Sequence, residues 1–177
     1  MQVRRWGAIG ARLATSFASS GEETKKVAPF PMRVLLVVDG IKVSGLATRM
    51  ALEIASSTHS ELHLVCPVLT TPQRPFPRSF ARERSEAILE QRKLLALRLL
   101  EEHARWIEET GGKVIAKHYR EGKPEDEVVE LAEELDAGMI VVPDGSRETN
   151  WVMRLLSGPL SDALVRRAKR PVMVVRL

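Results

Sequence analysis

Short runs of β-branched residues and leucine alternate with segments of helical period along this chain, and that alternation limits the fold more than any other feature. Arg33 to Val38 is continuously apolar after its arginine, without the every-other-residue polarity of a half-exposed strand. Such a run fits a strand buried on both faces of a parallel sheet. Met139-Ile140-Val141-Val142 and Pro171-Val172-Met173-Val174-Val175 have the same character. Ser44 is placed to cap a first helix, with Leu46, Ala47, Met50, Ala51, Ile54 and Ala55 as its core stripe. A second strand is expected over Glu61 to Cys66, after which Pro67, Pro72, Pro75 and Pro77 break regular structure. Arg82 to Glu109 is the longest helical pattern, with a stripe of Ile88, Leu95, Leu99 and Trp106 and a stop at Gly111-Gly112. Lys113 to Lys117 reads as a third strand. Gly122-Lys123-Pro124 opens a third helix, and Glu125, Asp126 and Glu127 complement its positive end. Val128, Val129, Leu131, Ala132 and Leu135 are its core residues, and a last helix is expected over 158–168.

Strand and helix in alternation imply parallel pairing through right-handed crossovers. The class is α/β: a doubly wound five-stranded parallel sheet in a Rossmann-like three-layer α/β/α arrangement. Sheets of this kind bind ligands beyond the carboxyl ends of their strands, where the strand order reverses. Periodicity leaves the strand order open, and no internal repeat is present. The chain has 177 residues, enough for one domain with a substantial core. No apolar run approaches the roughly 20 residues that span a bilayer. The net charge of +4 hints at acidic partners, but aromatics at 5% argue against a nucleic-acid surface. The lone cysteine, Cys66, excludes an intramolecular disulfide and reads as a small buried hydrophobe. That cysteine usage fits a cytoplasmic protein.

Residues 1–29 read as a partly ordered extension, and 30–177 as the domain. Arg4-Arg5-Trp6 faintly suggests an export signal, but Arg12 interrupts the apolar stretch that would follow. Trp6, Ile9, Leu13 and Phe17 fall at helical spacing, so a basic amphipathic arm touching a membrane surface or a partner is a further reading.

Val34 to Gly40 with Ser44, Gly122-Lys123-Pro124, and the closing Ser161-Asp162-Ala163-Leu164-Val165 and Arg170-Pro171-Val172-Met173-Val174-Val175 together resemble the universal stress protein family over about residues 32 to 177. The resemblance implies the strand order 3-2-1-4-5, with the switch point between strands one and four. It also implies a homodimer formed through the last strand, Val172 to Arg176. Many members bind ATP in a loop of a glycine, two residues, a glycine, nine residues, then a glycine with serine or threonine.

The spacing from Gly145 to Gly158 is kept here, and Asp39 and Gly40 stand where the family's first-strand aspartate contacts the nucleoside. The middle glycine is replaced by Glu148, and the last hydroxyl position by Pro159. Phosphate loops hold anions by backbone N–H groups at a helix N-terminus. Pro159 supplies neither N–H nor hydroxyl, and Pro67 stands where backbone after strand two would meet the adenine. Glu148 adds like charge, which at ~4 Å repels by about 1 kcal/mol in water and about 4 kcal/mol at an effective dielectric near 20. A second alignment places Pro143 at the first loop glycine, and it weakens the loop equally.

Each of these residues has a plainer reading as well. Pro159 suits a first helical turn, Asp39 a turn cap, Gly145 a turn, and Glu148 a solvated loop. Arg147 and Arg154 could meet an anion but read more simply as solvated. Arg166, Arg167, Lys169 and Arg170 complement the end of the last helix rather than form a phosphate patch. Trp151, Val152, Leu155 and Leu156 read as core. His59, His63, His103 and His118 lack metal-ligand spacing, and no nucleophile elbow, Walker lysine loop or GxGxxG is present. The expectation is therefore a non-enzymatic, dimeric stress-response module with a degenerate nucleotide site and no resident cofactor, open to a regulatory protein partner. The alternative is a true ATP or AMP binder using Asp39, Gly40, Gly145 and Gly158.

Overall fold

The structure, a computed structural model, describes residues 33–38, 45–70, 81–144 and 160–176. Strand β1 (Arg33–Val37) is followed by α1 (Leu46–Thr58), β2 (Glu61–Leu69), α2 (Ala81–Glu109), β3 (Val114–Gly122), α3 (Pro124–Glu134), β4 (Met139–Pro143), α4 (Leu160–Arg167) and β5 (Val172–Val175). The strands form one five-stranded sheet in the order β3-β2-β1-β4-β5, and every pair is parallel. The doubly wound class and the 3-2-1-4-5 order are both present. The N-terminal extension, residues 1–29, lies outside the described residues.

Two-sided burial of β1 organises the layers. Val34, Leu36 and Val38 face a core completed by α1 and α2, whereas Leu35 and Val37 face one completed by α3 and α4. All five side chains are within 1% of full burial. Burying a side chain of this size stabilises the fold by about 1.5–3 kcal/mol relative to exposure, so a polar residue in this run would be costly on either side.

The helices settle on the sheet through smaller residues than their sequence stripes suggest. On α1 the buried line is Ala47, Thr48, Ala51 and Ala55, with Met50 and Ile54 packed at its margin. Leu46 begins the helix and is 41% exposed. On α2, Ile88 and Leu95 are 42% and 57% exposed. The buried line there is Ala96, Leu100, His103, Ala104 and Ile107, with Leu99 and Trp106 at the edge. The expected stripe was phased by its bulkiest residues, while the contact runs through alanines that let the helix axis approach the strands. On α3, Val128, Leu131 and Ala132 are buried, and Val129 and Leu135 flank them.

Two strands are longer than their sequence patterns. β2 continues through Pro67 to Leu69, and β3 runs on to Gly122, the two pairing residue by residue from His63↔Ala116 to Leu69↔Gly122. Polar residues in β3, such as Lys117 and Arg120, hide a strand that, among the described residues, lies at the sheet edge and pairs on one side. The first helix is also capped differently from expectation. Its N-cap is Gly45, one residue after Ser44.

Helix α2 ends where Gly111, at φ +89°, adopts the left-handed conformation and Gly112 donates to the Ile107 carbonyl at 2.9 Å. A Cβ on Gly112 would lie 2.8 Å from Ile107 Cγ2 and would also meet Leu52 of α1. Gly112→Ala is therefore expected to destabilise the protein by about 1–3 kcal/mol through overpacking, read as a lower urea midpoint with an unchanged slope.

Candidate nucleotide-binding cleft

The strand order reverses between β1 and β4, so the carboxyl ends of these two strands mark the ligand position that such sheets use. The Val38 N–H donates to the Val65 carbonyl at 2.8 Å, which carries the β1–β2 ladder one residue past the end of β1. In a parallel ladder the next bond would run from the N–H of residue 67 to the Val38 carbonyl. That residue is Pro67, which has no N–H. Pro67 thus stands inside β2, opposite Arg120 of β3, and not in a loop beyond the strand.

The other side of β1 ends in the same way. The register Leu36↔Val141 puts Val37 level with Val142, and the alternation of the ladder turns the Val37 carbonyl toward residue 143. Residue 143 is also proline, the last residue of β4 rather than the first of the loop. The two strands that flank β1 therefore bring no N–H to the carbonyls of Val37 or Val38. At these positions the cleft floor offers acceptors, the opposite of what a phosphate requires.

Beyond Pro143 the chain is tied to β5. The Asp144 N–H donates to the Val175 carbonyl at 2.8 Å, and Arg176 Nε lies 2.9 Å from Asp144 Oδ2. The Asp144 side chain is only 9% exposed and the Arg176 side chain 77%. A carboxylate thus sits close to the strand end with its charge matched by a neighbouring guanidinium. The sequence reading missed this pair, because nothing in the spacing of Asp144 and Arg176 signals that β4 and β5 are neighbours.

One feature favours an anion. Helix α1 starts close after β1 with Gly45, which has no side chain to cap it, and its first turn carries no acidic residue. By contrast, the first turn of α3 holds Glu125, Asp126 and Glu127. There Lys123 lies 2.8 Å from Glu125, and Arg167 pairs with Asp126. Arg170 lies 2.8 Å from Asp136 and 3.4 Å from Glu133. Arg167 and Arg170 are therefore engaged with α3 and its C-terminal turn.

Asp39, Gly40, Gly145, Glu148, Gly158 and Pro159 lie outside the described residues, as do Ser44, Arg147, Trp151, Val152, Arg154, Leu155 and Leu156. Among the described residues no group of three or more His, Cys, Asp or Glu side chains is placed to hold a metal ion. No helix among them is long and apolar enough to cross a membrane. Cys66 is buried on the α2 face of β2, as its apolar reading requires. Loss of the Arg176 partner would leave the Asp144 carboxylate nearly buried and unpaired. Arg176→Ala is expected to destabilise the protein by about 1–3 kcal/mol, measured by urea denaturation at pH 7, and Asp144→Asn should largely cancel that loss.

Comparison with known proteins places this architecture. A model of the Universal stress protein family matches residues 32–176. Universal stress protein MJ0531 of Methanocaldococcus jannaschii is 28% identical over 144 residues, which is 81% of each chain. Among solved structures, the universal stress protein UspA from Lactobacillus plantarum superposes with a TM-score of 0.68 at 18% identity, over 82% of this chain and 98% of that one. A universal stress protein in complex with cAMP gives a TM-score of 0.58 at 23% identity, over 82% and 97%.

Proposed function

This chain belongs to the universal stress protein family, and from that premise we propose that it is a non-enzymatic, dimeric regulatory module whose family nucleotide site has lapsed. The observation that carries this reading is the pair of prolines, Pro67 and Pro143, on either side of the β1 end. They leave the Val37 and Val38 carbonyls without the ladder N–H each would otherwise receive, so the floor of the cleft presents acceptors. The replacements Glu148 and Pro159 act in the same direction, one through charge and one through lost donors. With donors, charge and backbone freedom all altered, the cleft no longer has the chemistry of an anion cradle.

A second reading has its own support. A universal stress protein of the same fold is known in complex with cAMP, and the uncapped, acid-free start of α1 leaves a positive helix end near the cleft. In that case ATP, AMP or a related ligand would lie between β1 and β4 near Asp39, Gly40, Gly145 and Gly158.

Calorimetric titration with ATP, and with AMP as control, separates the two. The lapsed-site reading expects no saturable heat at millimolar ATP, and saturation in the micromolar range would sink it. It further expects that Glu148→Gly combined with Pro159→Ser raises ATP affinity at least tenfold, because the double change returns donors and removes like charge.

Dimerisation through the last strand has a backbone rationale. The carbonyls of Pro171 and Val175 accept from Ile140 and Asp144, so odd-numbered residues of β5 face β4. Val172 and Val174 accordingly turn their N–H and C=O groups toward the open sheet edge. Val174→Pro removes an edge donor and leaves the β4 ladder whole. Light scattering should then report a monomer for the variant and a dimer for the parent, with matching circular dichroism. A parent that is monomeric at all concentrations would refute this part of the reading.

A further inference from the structure

Beneath α3, two histidines from neighbouring strands share one hydrogen bond. His63 Nδ1 and His118 Nε2 are 3.1 Å apart, and the rings stack with centroids 5.4 Å apart at 20°. His63 is 5% exposed and lies on β2, while His118 is on β3, the edge of the sheet. The other nitrogen of His63, Nε2, is buried without a hydrogen-bond partner and lies 3.7 Å from Glu61 Oε2.

Donor and acceptor counting sets the direction of this chain. Glu61 as a carboxylate only accepts, so His63 best carries its proton on Nε2, facing it. His63 Nδ1 is then an acceptor, and His118 donates from Nε2. One added proton is tolerated, because an imidazolium can donate to a neutral ring. Two are not. With both rings charged, N–H faces N–H across the shared gap and the bond cannot form.

Glu61 and Glu134 offset that second charge only in part, because each is already paired with an arginine. On β1, Arg33 donates to Glu61 Oε2 at 2.8 Å and to the Leu135 carbonyl at 2.8 Å, so the one carboxylate beside His63 is already matched. On β3, Arg120 pairs with Glu134 of α3. Glu127 of α3 lies against Gly122 at the far end of β3, and Glu130 between them is exposed. Burial pushes both rings below the usual imidazole value of 6.5, and for His118 the neighbouring His63 adds to it. For a base whose affinity for protons is lower in the folded state, the stability it contributes is whole above that usual value and is lost as the pH falls below it.

We propose that the His63–His118 pair is an acid-sensitive clasp that holds the edge strand β3 and the overlying α3 to the rest of the sheet, closed near neutrality and released when both rings take up protons. The release is local, because among the described residues β3 pairs with β2 alone and α3 packs on both β2 and β3.

Amide hydrogen exchange on the full chain from pH 7.5 to 5.0, expressed as protection relative to unstructured peptide, tests the clasp. Protection in β3 and α3 should fall about tenfold or more beyond any change in β4, since each proton taken up on opening can cost up to about tenfold per pH unit. His118→Gln, which keeps a donor but cannot titrate, should abolish most of that difference. His103→Gln should not, because His103 is buried on the opposite, α2 side of the sheet. Ring-carbon NMR shifts of the unmutated protein supply a readout independent of variant folding. His63 and His118 should titrate in two coupled steps below the usual imidazole value. Uniform loss of protection across the sheet, an unchanged profile in His118→Gln, or titration of both rings in one step at the usual imidazole value would each overturn the proposal.

Discussion

Everything in this molecule hangs on the parallel ladder in which β1 is held between β2 and β4. A strand at the centre of such a sheet must present apolar side chains to both faces, because helices cover both. Val34, Leu36 and Val38 meet α1 and α2, while Leu35 and Val37 meet α3 and α4. That one run sets the spacing of the two helical layers and the position of the cleft at its carboxyl end. Its ladder is also what makes the two flanking prolines matter. Pro67 and Pro143 could not stand earlier in their strands without breaking bonds that the sheet requires. Placed at the ends, they stop the pairing on both sides of β1 within one residue of each other.

The cleft and the histidine pair illustrate two uses of the same sheet. At the carboxyl ends the backbone itself is the chemistry, and its content depends on which residues carry an N–H. Across the α3 face the chemistry is in side chains, and it depends on register. His63 and His118 meet because β2 and β3 pair with an irregularity between Leu62 and His63, which sets Val65 opposite His118. A shift by one residue would turn His118 to the other face of the sheet.

Much of the fold was legible because the physics behind it is local. Unbroken apolar runs marked β1, β4 and β5, and Gly111-Gly112 and Pro124 marked helix ends. Errors arose where a neighbour decides. The phase of α2 followed bulk, while packing selected Ala96 and Ala104. β3 ran past its apolar segment because an edge strand tolerates Lys117 and Arg120. β2 ran through Pro67 because the missing N–H points to the β1 side, at the end of β1, and leaves the ladder to β3 whole. The cleft's place at the strand-order reversal followed from the fold class. Asp39, Gly40, Gly145 and Gly158, assigned by motif, lie outside the described residues, and the Asp144–Arg176 pair was not legible, since only the β4–β5 contact joins them.

By itself the sequence determined the class of fold, the doubly buried strands and the loss of N–H groups at Pro67, Pro143 and Pro159, because these follow from side-chain polarity and covalent structure at each position. Tertiary structure alone decided the strand order, the side of β1 to which each missing donor belongs, and the meeting of His63 with His118. Those depend on pairing between segments far apart in the chain, where a register of one residue changes which face and which neighbour a group meets.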